Sequence, residues 1–205
     1  MGGWSADAHR DRASFCHTAF VVSGNWQKKG DADDSRVRRQ PARTRRLRRD
    51  ARRARYFLRY TLRDLTDEQA RTRTTVSALS LAGIVKHAAA QERQWSDFIV
   101  RGPDAIGGSG EDAIAAHEAS FQPTADETIE ALLRRYEQVA SETNELVRAL
   151  SSLDSSQLLP TAPWFEPGAR WTARRVLLHI LAETAQHAGH ADIIRESLDG
   201  AKAMV

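Results

Sequence analysis

Cysteine occurs once in the 205 residues, as Cys16. A single thiol excludes an intramolecular disulfide framework and any cysteine-rich zinc module. Proline and glycine are sparse as well, six and twelve residues with no fixed period. Collagen-like, low-complexity and solenoid architectures are therefore excluded. No apolar run approaches the roughly 18 residues that a membrane span requires. The longest nearly uncharged stretch, Ala13 to Trp26, is interrupted by His17, Ser23 and Asn25 and carries no good secretory cleavage pattern. What remains is 41% hydrophobic and 28% charged, enough apolar material for the core of one ordinary domain. A soluble, cytoplasmic protein is expected.

The net charge of +3 hides an asymmetry. Residues 1–56 hold fifteen Lys and Arg against six Asp, a balance of +9, which leaves −6 on the rest of the chain. From Met1 to about Arg43 no helical or strand period survives counting. Clustered arginine can neutralise phosphates, but no aromatic residues interleave with these arginines as in single-strand binders. Residues 1–43 are therefore read as a basic, disordered extension, or as the product of too early a start codon. Nucleic acid is not the expected partner, and residues 44–200 form the expected domain.

Past the extension the chain reads as helices between marked caps. The first helix is expected over Thr44–Arg63, with Leu47, Ala51, Ala54, Phe57, Leu58 and Leu62 on one face. Thr66 and Gln69 have capping-box spacing for a short turn. A second helix starts near Ser80 and stops at Gly102-Pro103. The connection after it, residues 103–123, has room for a short helix around Asp112–Ala119. A third helix is expected to open with Thr124 as N-cap and Glu127 three residues on. The fourth opens with Thr172 as N-cap, lets Trp171 staple onto Val176, and ends near Leu198 before Gly200. No strand pattern competes. Four amphipathic helices, each too weak alone, must share a core, so the fold class is all-α: a four-helix bundle.

Chemistry concentrates on the fourth helix. At about 100° per residue, His179, His187 and His190 lie roughly −40°, +40° and −20° from Glu183, a sector read together with Val176, Thr184 and Ile194 and expected to face inward. Buried imidazoles and carboxylates are costly unless paired or bound to metal. Glu183 and His187, four residues apart, can hold one ion together. One helix supplies two good ligands at this spacing, so a third should come from a facing helix. His87 is the only histidine in the apolar run of the second helix. Each residue also has a plainer reading: His87 as a satisfied core histidine, Glu183/His187 as a solvated pair, His179 as a boundary residue. His190 could be a surface histidine, a support for a ligand, or a general base. His117 falls in the long connection, outside the expected site.

Two strings carry a resemblance. Leu79-Ser80-Leu81-Ala82-Gly83-Ile84-Val85-Lys86-His87, followed by Glu92-Arg93-Gln94-Trp95, resembles the start of a DinB-like metalloprotein domain. The run from Trp171-Thr172 through His179, Glu183-Thr184-Ala185-Gln186-His187-Ala188-Gly189-His190 and Asp199-Gly200 is similar to a branch of that superfamily related to mycothiol-dependent maleylpyruvate isomerase. The resemblance covers roughly residues 45–200. It implies a DinB-like four-helix bundle with an unusual chain order. It also implies a divalent metal (Zn, Ni, Fe or Mn) held by His87, Glu183 and His187. Mycothiol or another low-molecular-weight thiol is the implied cofactor or substrate, and a small electrophile the partner. Thiol transferase and thiol-dependent isomerase are the implied activities, set against a stress-associated bundle without catalysis. Most relatives read Gly-Gln after the last ligand, where Gly189-His190 stands here. That departure makes His190 the candidate catalytic residue, in proton transfer. Membrane is not an expected partner, and pairing into a homodimer is left open.

Overall fold

The structure, a computed structural model, describes residues 35–106 and 111–203. Cys16 and the extension over residues 1–34 lie outside the described residues. Helix α1 (Ser35–Tyr60) begins nine residues before the expected start at Thr44. Pro41 and dense arginine hide those first turns from a search for apolar period. Arginine is nonetheless a strong helix former, so a helix can run there without an apolar stripe. The other elements are α2 (Asp67–Arg71), α3 (Leu81–Arg101), a 3₁₀ turn (Gly102–Ala105), α4 (Glu111–Ser120), α5 (Ile129–Ala149), β1 (Ser156–Leu158), β2 (Arg170–Thr172) and α6 (Ala173–Asp199). This is an all-α bundle. No described helix is long and apolar enough to cross a membrane.

Most helix ends obey the local rules. Thr66 and Gln69 form both bonds of a capping box at α2. Ser80 caps α3 through the Gly83 N–H, and Thr172 caps α6 through the Arg175 N–H. Gly200, at φ 79°, closes α6 in the left-handed conformation that glycine adopts without steric cost.

Two expectations fail. The third long helix opens at Thr128, not Thr124: the Thr128 hydroxyl accepts from Ala131 N–H, and Asp67 of α2 accepts from Ile129 N–H at 2.6 Å. Thr124 and Glu127 do bond reciprocally, but they close a separate turn, and Lys86 holds Glu127 there at 2.8 Å. The second failure is the expected absence of strands. β1 and β2 pair antiparallel with Gln157 opposite Trp171. Three residues are too few to show a period of two. The pair is anchored by Leu159 N–H to Ala169 C=O and Ala173 N–H to Ser155 C=O, which fastens the start of α6.

The long helices pack in a ring. α1 lies against α6 and α5, and α3 lies against α5 and α6, so the first and last long helices of the chain are neighbours. Arg195, buried in α6, seals the end of α1 by donating to the carbonyls of Thr61 and Arg63, both at 2.7 Å. Two apolar clusters fill the interior. One gathers Leu58, Leu81, Ile84, Val85, Leu132, Tyr136 and Ile194; the other gathers Trp95, Phe98, Val147, Val176 and Ile180. The four long helices also carry buried polar residues: Arg55 on α1, Glu92 and Ser96 on α3, Thr143 on α5 and Thr184 on α6. Arg55 grips both carboxylate oxygens of Glu92, Nε to Oε2 at 2.9 Å and a terminal nitrogen to Oε1 at 2.5 Å. Ser96 and Thr143 share a bond of 2.9 Å, and Thr143 donates to Val139 C=O.

Candidate functional site

The buried stripe of α6 runs through Ala173, Val176, Leu177, Ile180, Thr184, His187, Ala188, Ala191, Ile194 and Arg195. Its centre lies about 80° round the helix from Glu183, near Thr184 and Ala191. The sector expected to face inward is therefore the flank of the stripe. Val176 and Ile194 mark an edge of the core and cannot fix its centre. His187 is buried, whereas His179, Glu183 and His190 stand at the border.

Glu183 occupies the middle of this border. One carboxylate oxygen lies 3.8 Å from His187 Nε2 and the other 4.0 Å from His179 Nδ1. His179 sits edge-on to Trp95 and Trp171, which stack on each other at 4.8 Å. A small cleft opens beside Glu183 and His187, walled by Gln91, Glu92, Trp95 and Ile180.

Helix α3 brings His87 to the same place. It is 2% exposed, and its ring centre lies 5.0 Å from that of His187. The long connection also contributes, against expectation: His117 of α4 stands edge-on to His87 at 5.1 Å, and Phe121 stacks on His87 at 3.7 Å. Ser120 selects the tautomer of the neutral His87 ring. Its hydroxyl donates its only proton to His117 C=O at 2.5 Å, so it must accept from His87 Nδ1–H at 2.7 Å. In the neutral ring this leaves Nε2 as the lone-pair nitrogen, the state in which an imidazole binds metal. Gly83 makes the stack of Phe121 on His87 possible, because a Cβ there would collide with the Phe121 carbonyl oxygen. Gly83→Ala is therefore expected to lower stability by about 1–3 kcal/mol, as overpacking does. Ring-current shifts of His87 protons should change with it. Unchanged melting and unchanged shifts would refute the close approach.

His187 is held neutral. Burial, and then the neighbouring charges of His190 and His117, push its pKa down to about 4. A depressed histidine contributes stability that is complete above the unfolded value near 6.5 and is lost as pH falls from there toward 4. The metal-free protein should therefore lose up to about 3 kcal/mol over that window. His187→Gln should flatten the dependence; an identical pH slope in denaturant titrations of the two proteins would refute the assignment.

A divalent ion is the group that this donor set would suit. Among the described residues no three His, Cys, Asp or Glu side chains already converge as the ligands of one ion. The donors nonetheless fit. His87 offers a lone-pair nitrogen, His187 is neutral, and the 3.8 Å from His187 to Glu183 is slightly wider than the ~3.3 Å between two ligands on a tetrahedral ion. Nδ1 of His187 and of His190 are buried with no hydrogen-bond partner among the described residues, and the two rings lie 5.7 Å apart. The structure thus gathers His87, Glu183, His187 and His190. It adds His117, Ser120, Phe121 and Trp95, which sequence reasoning did not place in the site. Trp95 was in the quoted string; the α4 residues gave no signal, because His117 is not on an apolar stripe.

Comparison with known proteins shows the family. A sequence profile described as Mycothiol-S-transferase, of the DinB-like superfamily, matches residues 47–200. A search of curated proteins finds no match.

Proposed function

This chain belongs to the mycothiol S-transferase family, and on that premise we propose that it is a cytoplasmic, metal-dependent transferase joining mycothiol to a small electrophile. His87, Glu183 and His187 hold the divalent ion. Two imidazoles and one carboxylate leave open positions, the pattern of catalytic sites. A metal in such a site lowers the pKa of a bound thiol and so supplies a thiolate near neutral pH.

The protein's own residues do the rest. Ser120 fixes the tautomer of His87, and Phe121 holds the plane of its ring. Trp95 and Ile180 wall the cleft against water, while Gln91 presents a polar group to what enters it. His190, beside His187 with an unpartnered Nδ1, takes the thiol proton. The observation that carries this reading is the approach of His87 of α3 to His187 of α6, beside a cleft that Glu183 and His187 line. The test is to load the purified protein with Zn²⁺, Ni²⁺, Fe²⁺ or Mn²⁺ in turn, add mycothiol and an activated aryl chloride, and measure the conjugate. Metal-dependent formation is expected. A rate equal to the uncatalysed one with every ion would overturn the proposal.

A further inference from the structure

Ile180 borders the cleft and also a second groove, framed by α1 and α5 and lined with Leu47, Ala51, Val147 and Leu177. Among the described residues no carboxylate lines it. Two of its polar residues are already engaged: Arg55 with Glu92, and Thr143 with Val139 C=O. Arg48 is not. Its Nε is buried with no hydrogen-bond partner among the described residues. Arg52 and Arg148 place two more positive charges near it, and none of the three arginines forms an ion pair among the described residues. Burial, then Arg148 and Arg52, hold the Arg48 pKa below its ordinary value. A guanidinium with its Nε out of water, beside like charges and with no acid to meet it among the described residues, offers a place to an anion from outside.

We propose that this groove is a binding site for a small organic anion, a carboxylate carried on a hydrocarbon body. The carboxylate meets Arg48 and Arg148, and the body lies on Leu47, Ala51, Val147 and Leu177. A bare inorganic anion leaves that apolar wall wet, and an uncharged alkyl chain leaves Arg48 unmet.

The test is calorimetric titration of the full chain with octanoate at low salt, with octan-1-ol and inorganic phosphate as comparisons. One saturable octanoate site is expected. Arg48→Gln should weaken it about tenfold, the scale of one charge-assisted hydrogen bond. Arg148→Gln, at an exposed position, should weaken it severalfold with melting unchanged, and Ala51→Phe should fill the groove and abolish binding. No saturable site would overturn the proposal. So would octanoate binding that ignores all three substitutions, or phosphate or octanol binding as tightly as octanoate. Arg148→Gln should keep its divalent metal, so this result is distinguishable from the fate of the proposed metal centre.

Discussion

Glu183→Gln is expected to lower divalent-metal occupancy by at least about 10–100-fold in affinity, the scale on which mere supporting residues act at metal sites. The substitution keeps size and removes the anionic ligand. His87→Ala should do the same from α3, leaving two ligands, too few to hold a labile ion. Elemental analysis of protein purified without a histidine tag is the measurement. Conjugation of mycothiol should fall in parallel. His179 lies as close to Glu183 as His187 does, within 0.2 Å, so the control matters: His179→Ala should retain the metal. His190→Ala should retain it while losing activity. Stoichiometric metal in both Glu183→Gln and His87→Ala would overturn the ligand set. Retention there with loss in His179→Ala would move the site one turn along α6.

The second large effect lies beside the site. Arg55 is 6% exposed and Glu92 1%, so removing either partner strands a buried charge. Arg55→Met or Glu92→Leu alone should cost about 3–5 kcal/mol. For a domain of this size that corresponds to a fall in melting temperature of about 10 °C or more. The double variant Arg55→Met/Glu92→Leu should recover most of the loss, because apolar isosteres can replace a buried pair at little cost. Two single variants within 1 kcal/mol of wild type, or a double variant whose loss is the sum of the singles, would refute the pairing.

The legibility of the sequence divides along physical lines. Capping spacings act within four residues, so Thr66, Ser80 and Thr172 could be read directly. Thr124 could not, because a distant side chain, Asp67, takes the bond that moves the helix start to Ile129. The two-stranded pair is set by contacts across its loop and leaves no local period. In the candidate site, His87, Glu183 and His187 stood out because spacing along two long helices is regular. His117 and Ser120 come from a short helix and Phe121 from the turn just after it, whose placement against α3 depends on the absence of a side chain at Gly83. Periodicity also fixed the wrong centre for α6, since Val176 and Ile194 only flank the stripe, and Thr184, which is near its centre, lies about 100° round the helix from Glu183.

The Arg55–Glu92 clasp has a consequence for alternative packings of the same helices. Apolar side chains are largely interchangeable, so α1 could slide one turn, about 5.4 Å, along its neighbours and still find leucine and valine to touch. It could not do so without pulling the guanidinium off Glu92, the one carboxylate that meets it among the described residues. The stranded charges would cost more than most single repackings save. A polar link between helices distant in sequence thus acts as an index pin, making shifted bundles expensive where apolar contact alone would leave them nearly degenerate. Because Glu92 and His87 ride on the same helix, α3, the pin that sets α1 against α3 also helps set the height at which His87 is presented to α6.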